Sequence, residues 1–145
     1  MRYVVGIVVG LIASLIAAIL AGSIAFVTTF TVPAGTNAND MRQVVTIMND
    51  LPGATQGALA VAWLLSALCG AAAAKLIARR AWAAWAIALI VAIYFGLNAL
   101  ILPLEMWAKA AWLFGPLLGG FFANRFVGEA PATAIAEVEA PPANP

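Results

Sequence analysis

Residues 3–32 read YVVGIVVGLIASLIAAILAGSIAFVTTFTV, a run without one charged side chain. About 20 apolar residues cross the hydrocarbon layer of a bilayer, so this stretch is long enough to span it with tilt or an extra outer turn. A secretory signal has an apolar core of only about 7–15 residues. Although Arg2 precedes the run and Ala21-Gly22-Ser23 is small enough for cleavage, its length points to a retained helix. Thr28, Thr29 and Thr31 mark its exit to the interface, and Pro33-Ala34-Gly35 ends it.

The rest of the chain agrees with lipid as its solvent. Hydrophobic residues make up 65% and charged residues only 9%, against about 25% charged in a soluble domain. Mean hydropathy is +1.02. A chain of 145 residues has too high a surface-to-volume ratio to hide that much apolar surface within itself. A net charge of +1 excludes a binder that works by neutralising nucleic-acid phosphates.

Three further spans are expected, at 54–78, 82–102 and 107–126, within a domain of residues 1–128. The fold class is therefore an all-α membrane protein: a four-transmembrane-helix bundle with a short amphipathic helix in the first outer loop, 33–53. In that loop Met41, Val44, Val45 and Met48 recur at helical spacing behind Asn39 or Asp40 as N-cap. Pro103 stops the third span, and Gly115-Pro116 is expected to kink the fourth. Residues 129–145 are Ala, Pro and Glu with little else, which predicts a disordered tail.

Basic residues set the orientation. Lys75, Arg79 and Arg80 crowd the link between the second and third spans, without an acid, and Arg2 and Arg125 lie near the termini. Cytoplasmic segments collect Lys and Arg, so this link and both termini are expected inside, with Lys75, Arg79 and Arg80 as an inner-face anchor. The same three could also meet anionic headgroups. Tyr3, Trp82 and Trp85 would then mark the inner interface, and Phe30, Trp107 and Trp112 the outer one.

Lipid offers no hydrophobic drive between helices, so small residues that admit a neighbouring backbone must hold the bundle. Positions four apart share one helix ridge. Such ridges are Gly6, Gly10, Ser14, Ala18 and Gly22 in the first span, and Ala58, Ala62, Ser66, Gly70 and Ala74 in the second. The third has Ala84, Ala88, Ala92 and Gly96; the fourth has Ala111, Gly115, Gly119 and Ala123. Four parallel ridges predict a tight bundle with little room for a wide pore.

Chemistry has few places to reside. The chain contains no histidine, the commonest general base and metal ligand. No Asp, Glu, Lys or Arg falls in mid-span, where a proton- or sodium-coupled carrier needs one. Glu105 and Lys109, four apart, could gate the outer face, but a solvated helix pair accounts for them. Asn98 could contact a ligand, though an amide near Pro103 serves equally to bond across helices or to satisfy a freed carbonyl. Cys69 has no activating base and is expected to be a small buried packing residue. Asp40, Arg42 and Asp50 read as the wet face of the loop helix. No metal-ligand spacing, phosphate loop or paired carboxylates occur, so no metal, no cofactor and no enzymatic activity are expected.

Two stretches resemble a group of small, uncharacterised bacterial four-helix membrane proteins. One comprises Pro33-Ala34-Gly35, a polar loop, Pro52, Gly57-Ala58-Leu59 and Trp63, with Gly70 and Arg79-Arg80 beyond. The other is Asn98, Pro103 and Trp107. The resemblance covers most of the chain except the tail, and it implies the four-helix architecture. Relatives in that group often carry Glu and His late in the first helix and a His after the proline; the matching positions here are Ser23, Val27 and Leu104. Any site those groups build is missing from this chain.

The leading expectation is a non-catalytic accessory, scaffolding or homo-oligomeric protein of a bacterial inner membrane, its partners the lipid bilayer and either further copies or a larger membrane complex. The alternative is a small dimeric transporter or channel for a neutral solute or lipid. A water-filled midplane cavity at Ser66, Asn98 or Ser23 would favour the alternative, and a dry centre would weaken it.

Overall fold

A computed structural model describes residues 1–37 and 39–128, apart from the side chains of Met41, Val44, Val45 and Met48. The expected tail at 129–145 lies outside the described residues, as do the four side chains that suggested an amphipathic loop helix. The described residues form five helices and no strand: α1 (Arg2–Thr29), α2 (Met41–Asn49), α3 (Gly53–Ala78), α4 (Ala81–Ile101) and α5 (Met106–Phe126).

Helix ends follow local chemistry. At the end of α1, Thr28 and Thr29 turn their hydroxyls back onto the carbonyls of Ile24 and Ala25, and the chain becomes extended at Phe30. That places the stop before Val32, the end expected from hydropathy alone. Asp40 caps α2 by accepting the Arg42 N–H at 3.0 Å. Helix α4 ends because Leu102 precedes Pro103, and the proline ring excludes a helical conformation at Leu102, which is extended (φ −78°, ψ 144°). The α3–α4 corner is made by Arg79 in the left-handed region (φ 53°) and Arg80 in an extended one. Glycine is the usual residue at such a helix end.

Helix α3 is the centre of the bundle. It packs along α1, α5 and α4, while α5 lies between α3 and α4, and α1 meets α4 only slightly. Its buried positions run from Thr55 to Ala78. Towards the chain termini the core is almost entirely alanine, with Ala67, Ala71, Ala74, Ala83 and Ala84 closed around Ile87. Towards the loops it is aromatic and aliphatic: Leu51, Leu59, Leu104 and Trp112. Trp63 stacks on Phe95 with ring centroids 4.0 Å apart and meets the edge of Trp112.

Three helices, α1, α3 and α4, are long and apolar enough to cross a membrane. Helix α5 equals α4 in length at 21 residues, about 32 Å at 1.5 Å per residue. Its composition falls short because Lys109, Pro116, Asn124, Arg125 and three glycines dilute its apolar residues. Large apolar side chains cover the outside of the bundle, among them Val8, Ile12, Ile19, Leu89, Leu100 and Phe114. A surface of that kind is suited to lipid.

Candidate functional site: a serine contact and two polar clusters

Small residues let the backbones close together, and the α1–α3 seam shows how. Gly6, Gly10, Ser14 and Gly22 are the buried positions of α1. A Cβ added to Gly10 would lie 2.8 Å from both the Ala74 Cβ and the Gly70 carbonyl oxygen. One added to Gly70 would lie 2.6 Å from the Gly10 oxygen and the Ser14 Cβ. Gly22 leaves room for the Trp63 ring, and Gly96 for Leu113.

Helix α5 solves a harder problem, because it touches two helices at once. Gly119 faces the α3 backbone, where a Cβ would lie 2.5 Å from the Leu64 oxygen; Gly120 faces Ala88 of α4. Adjacent positions on a helix are turned by about 100°, so neighbouring glycines serve two different neighbours. The ridge expected from spacing includes Gly115 and Gly119 but omits Gly120. Gly115 is buried with ordinary clearance, 3.5 Å from the Ala60 oxygen.

Midway along the seam, Ser14 and Ser66 are both buried. The Ser66 hydroxyl donates to the Ser14 carbonyl at 2.8 Å, and the two hydroxyl oxygens lie 2.9 Å apart. With its proton committed to the carbonyl, Ser66 must accept from the Ser14 hydroxyl. The pair is thus mutually satisfied. An apolar cleft between α1 and α4, lined by Leu11, Leu15, Ile90 and Tyr94, reaches these serines from outside. Ser23 is exposed, and Asn98 donates to the Tyr94 carbonyl of its own helix at 2.7 Å. Asn98 therefore makes an intrahelical bond, in place of the cross-helix bond considered for it.

At the loop end, the main polar group is one that spacing and hydropathy did not single out. Gln56 is 4% exposed in the first turn of α3. Its amide nitrogen donates to the Leu51 carbonyl at 2.9 Å, and its amide oxygen accepts the Glu105 backbone N–H at 3.2 Å. Its own carbonyl accepts the Trp112 indole N–H at 3.3 Å. Beside it, buried Thr55 donates to the Thr29 carbonyl, one of the last in α1. One turn of α3 thereby joins the ends of α1 and α5 and both loops. Trp112, expected at the interface, is instead buried at 4% exposure within this cluster.

Glu105 and Lys109 point to different neighbours. The Glu105 carboxylate accepts the Trp107 indole N–H, and both side chains lie over Gly53 of α3. Lys109 lies in the groove between α4 and α5.

At the terminal end the three expected anchors also separate. Arg79 and Arg80 are exposed. Lys75 is not: it is 4% exposed and donates to the Asn124 carbonyl of α5 at 2.7 Å. One turn before Arg79, it occupies a face turned towards α5, where it serves an otherwise orphaned helix-end carbonyl and the negative end of the helix dipole. Arg2 does the same for α3, donating from Nε to the Ile77 carbonyl at 3.1 Å. The buried Asn124 side-chain oxygen has no hydrogen-bond partner among the described residues. Lys75→Met should cost about 2 kcal/mol, because it strands a part-buried carbonyl as well as losing a charge-assisted bond. Arg80→Met, at an exposed site, should be nearly neutral in the same thermal unfolding series.

Cys69 also departs from expectation. It is exposed, one position off the buried Ser66–Gly70–Ala74 ridge. Among the described residues no group of three or more His, Cys, Asp or Glu side chains is placed to hold a metal.

These features define a small helical membrane protein with three helices suited to cross a bilayer. No family model, curated protein or solved structure matches the chain.

Proposed function

We propose that the protein is a non-catalytic, four-span protein of a bacterial inner membrane, with both termini cytoplasmic, that acts as an accessory or scaffolding subunit or as a homo-oligomer. The observation that carries this reading is the closed centre of the bundle. Ser14 and Ser66 satisfy each other, and Ala67, Ala71, Ala74 and Ile87 around them have no exposed surface. A solute path through one copy would need a polar lining between the two membrane faces, whereas these serines bond each other and the cleft that reaches them from the side is otherwise almost wholly apolar.

Helix α5 is the fourth crossing in this proposal. It has the length of α4, follows it through a short link and packs along both α3 and α4. Orientation rests on charge. Five basic residues, Arg2, Lys75, Arg79, Arg80 and Arg125, belong to the terminal end, against two, Arg42 and Lys109, at the loop end, where Asp40, Asp50 and Glu105 accompany them. The peripheral position of α1 supports assembly with other chains. Its one extensive neighbour is α3, which leaves a broad face of Val8, Ile12, Leu15 and Ile19 open for lipid or another helix.

The alternative, a small dimeric transporter or channel for a neutral solute or lipid, has less support because Ser23, Ser66 and Asn98 do not converge. Mild extraction, mass measurement and identification of co-purifying proteins test the proposal, followed by solute flux in liposomes. A complex with further copies or a stoichiometric partner, without flux, is expected. A lone monomer, or flux through the purified chain, would overturn it.

A further inference from the structure

Between α4 and α5 the surface opens into a groove of about 450 Å³. Its walls are Ile93, Leu97 and Leu100 on one side and Leu113 and Phe114 on the other, with Lys109 towards the loop end. Leu97, Leu100 and Phe114 are well exposed, so the groove opens to the bundle's exterior. From Ile93 to Leu100 the α4 wall runs about 10 Å along the helix. Lys109 sits in the first turn of α5, which is headgroup depth for a helix that crosses the bilayer.

The charge on Lys109 is available. Glu105, the acid one turn earlier, faces α3 and accepts the Trp107 indole N–H. Lys109 has no ion-pair partner among the described residues. A cation at the rim of an apolar, outward-facing groove matches one kind of molecule: an anionic chain-bearing amphiphile.

We infer that this groove is a phospholipid site, holding one acyl chain along α4 and α5 with the headgroup phosphate on Lys109. It rests on α5 crossing the membrane, and it requires that any assembly with copies or partners leave this groove open. The groove itself cannot distinguish lipids, because one acyl chain is as apolar as another. Selectivity must come from the charge, as a charge-assisted contact between ammonium and phosphate. Lipids of net negative charge are therefore preferred over zwitterionic ones with the same chains, whose headgroup amine offsets the phosphate.

Native mass spectrometry tests this by offering the purified protein phosphatidylglycerol and phosphatidylcholine of identical chains in competition. Wild type is expected to retain phosphatidylglycerol preferentially. Lys109→Gln should reduce that preference about tenfold, the scale of one charge-assisted contact, and Lys109→Arg should keep it. Ala110→Phe fills the groove and should lower retention of both lipids. Arg125→Gln, an exposed cation at the other end of the bundle, should leave the preference intact. Thermal unfolding of each variant identifies any that have lost the fold. Equal retention of the two lipids by wild type, an unchanged preference in folded Lys109→Gln, loss of preference in Arg125→Gln, or a groove covered by a second copy would each overturn the site.

Discussion

Gly10→Leu is expected to lower the unfolding temperature in detergent more than any exposed substitution on the same helix. No space exists for the new side chain, since its Cβ alone would lie 2.8 Å from the Ala74 Cβ and from the Gly70 oxygen. One of those atoms belongs to the α3 backbone and cannot rotate aside. The helices must separate, which undoes the Ser14–Ser66 contact one turn further along. Overpacking a closed core costs about 1–3 kcal/mol, occasionally more, and this site belongs at the upper end because two helix backbones meet there. In lipid the loss is not offset by hydrophobic association, so close contact is what holds α1 in place. The same geometry grades other glycines. Gly119→Ala should be harmful, with backbone 2.5 Å from the new Cβ, whereas Gly57→Ala, 3.6 Å from the nearest Trp107 atom, should be close to neutral. Equal unfolding temperatures for the two alanine variants would refute packing by close approach.

Gln56→Leu is expected to be the most damaging change at the loop end, by about 2 kcal/mol from one stranded buried carbonyl and one part-buried N–H. The Leu51 carbonyl and the Glu105 N–H would both lose their partner. Leucine has similar volume, so the loss reports hydrogen bonding and not a cavity. Damage should be local at first. Hydrogen exchange is expected to accelerate around the starts of α3 and α5 while the alanine core near Ile87 stays protected. Uniform exchange throughout the bundle, or an unchanged unfolding temperature, would show that Gln56 does not hold the two loops.

Much of the fold was legible in residue order, for reasons that differ by element. The long uncharged runs mark α1, α3 and α4 because a crossing helix keeps charge out of the hydrocarbon layer, whether its faces meet lipid or protein. Helix α5 is fainter because Lys109, Pro116, Asn124, Arg125 and three glycines dilute its apolar residues. Four-residue spacing located Gly10, Gly70 and Gly119, but it follows one ridge at a time. Gly120 lies on the adjacent ridge that faces α4.

Polar residues were harder to place. Gln56 in a helix's first turn looks like any interface residue until the chain folds, when Glu105, distant in sequence, comes beside it. Lys75 stood in sequence with Arg79 and Arg80, and composition does not distinguish which of three nearby cations turns inwards. The burial of Lys75 depends on α5 and the Asn124 carbonyl. Cys69 shows the reverse. Its helix is the central one, yet Cys69 shares a ridge with exposed Leu65 and lies on the outer face.

The crossing of α5 is the point on which the four-span architecture, the sidedness of the termini and the Lys109 lipid site all depend. Single cysteines at Asn37 and at Gly128, each in a Cys69→Ser background, would be reacted with a membrane-impermeant maleimide in intact cells and again after permeabilisation. Four crossings predict that Asn37→Cys reacts in intact cells and that Gly128→Cys reacts only once the membrane is opened. Reaction of Gly128→Cys in intact cells, alongside Asn37→Cys, would leave three crossings and contradict the four-span bundle.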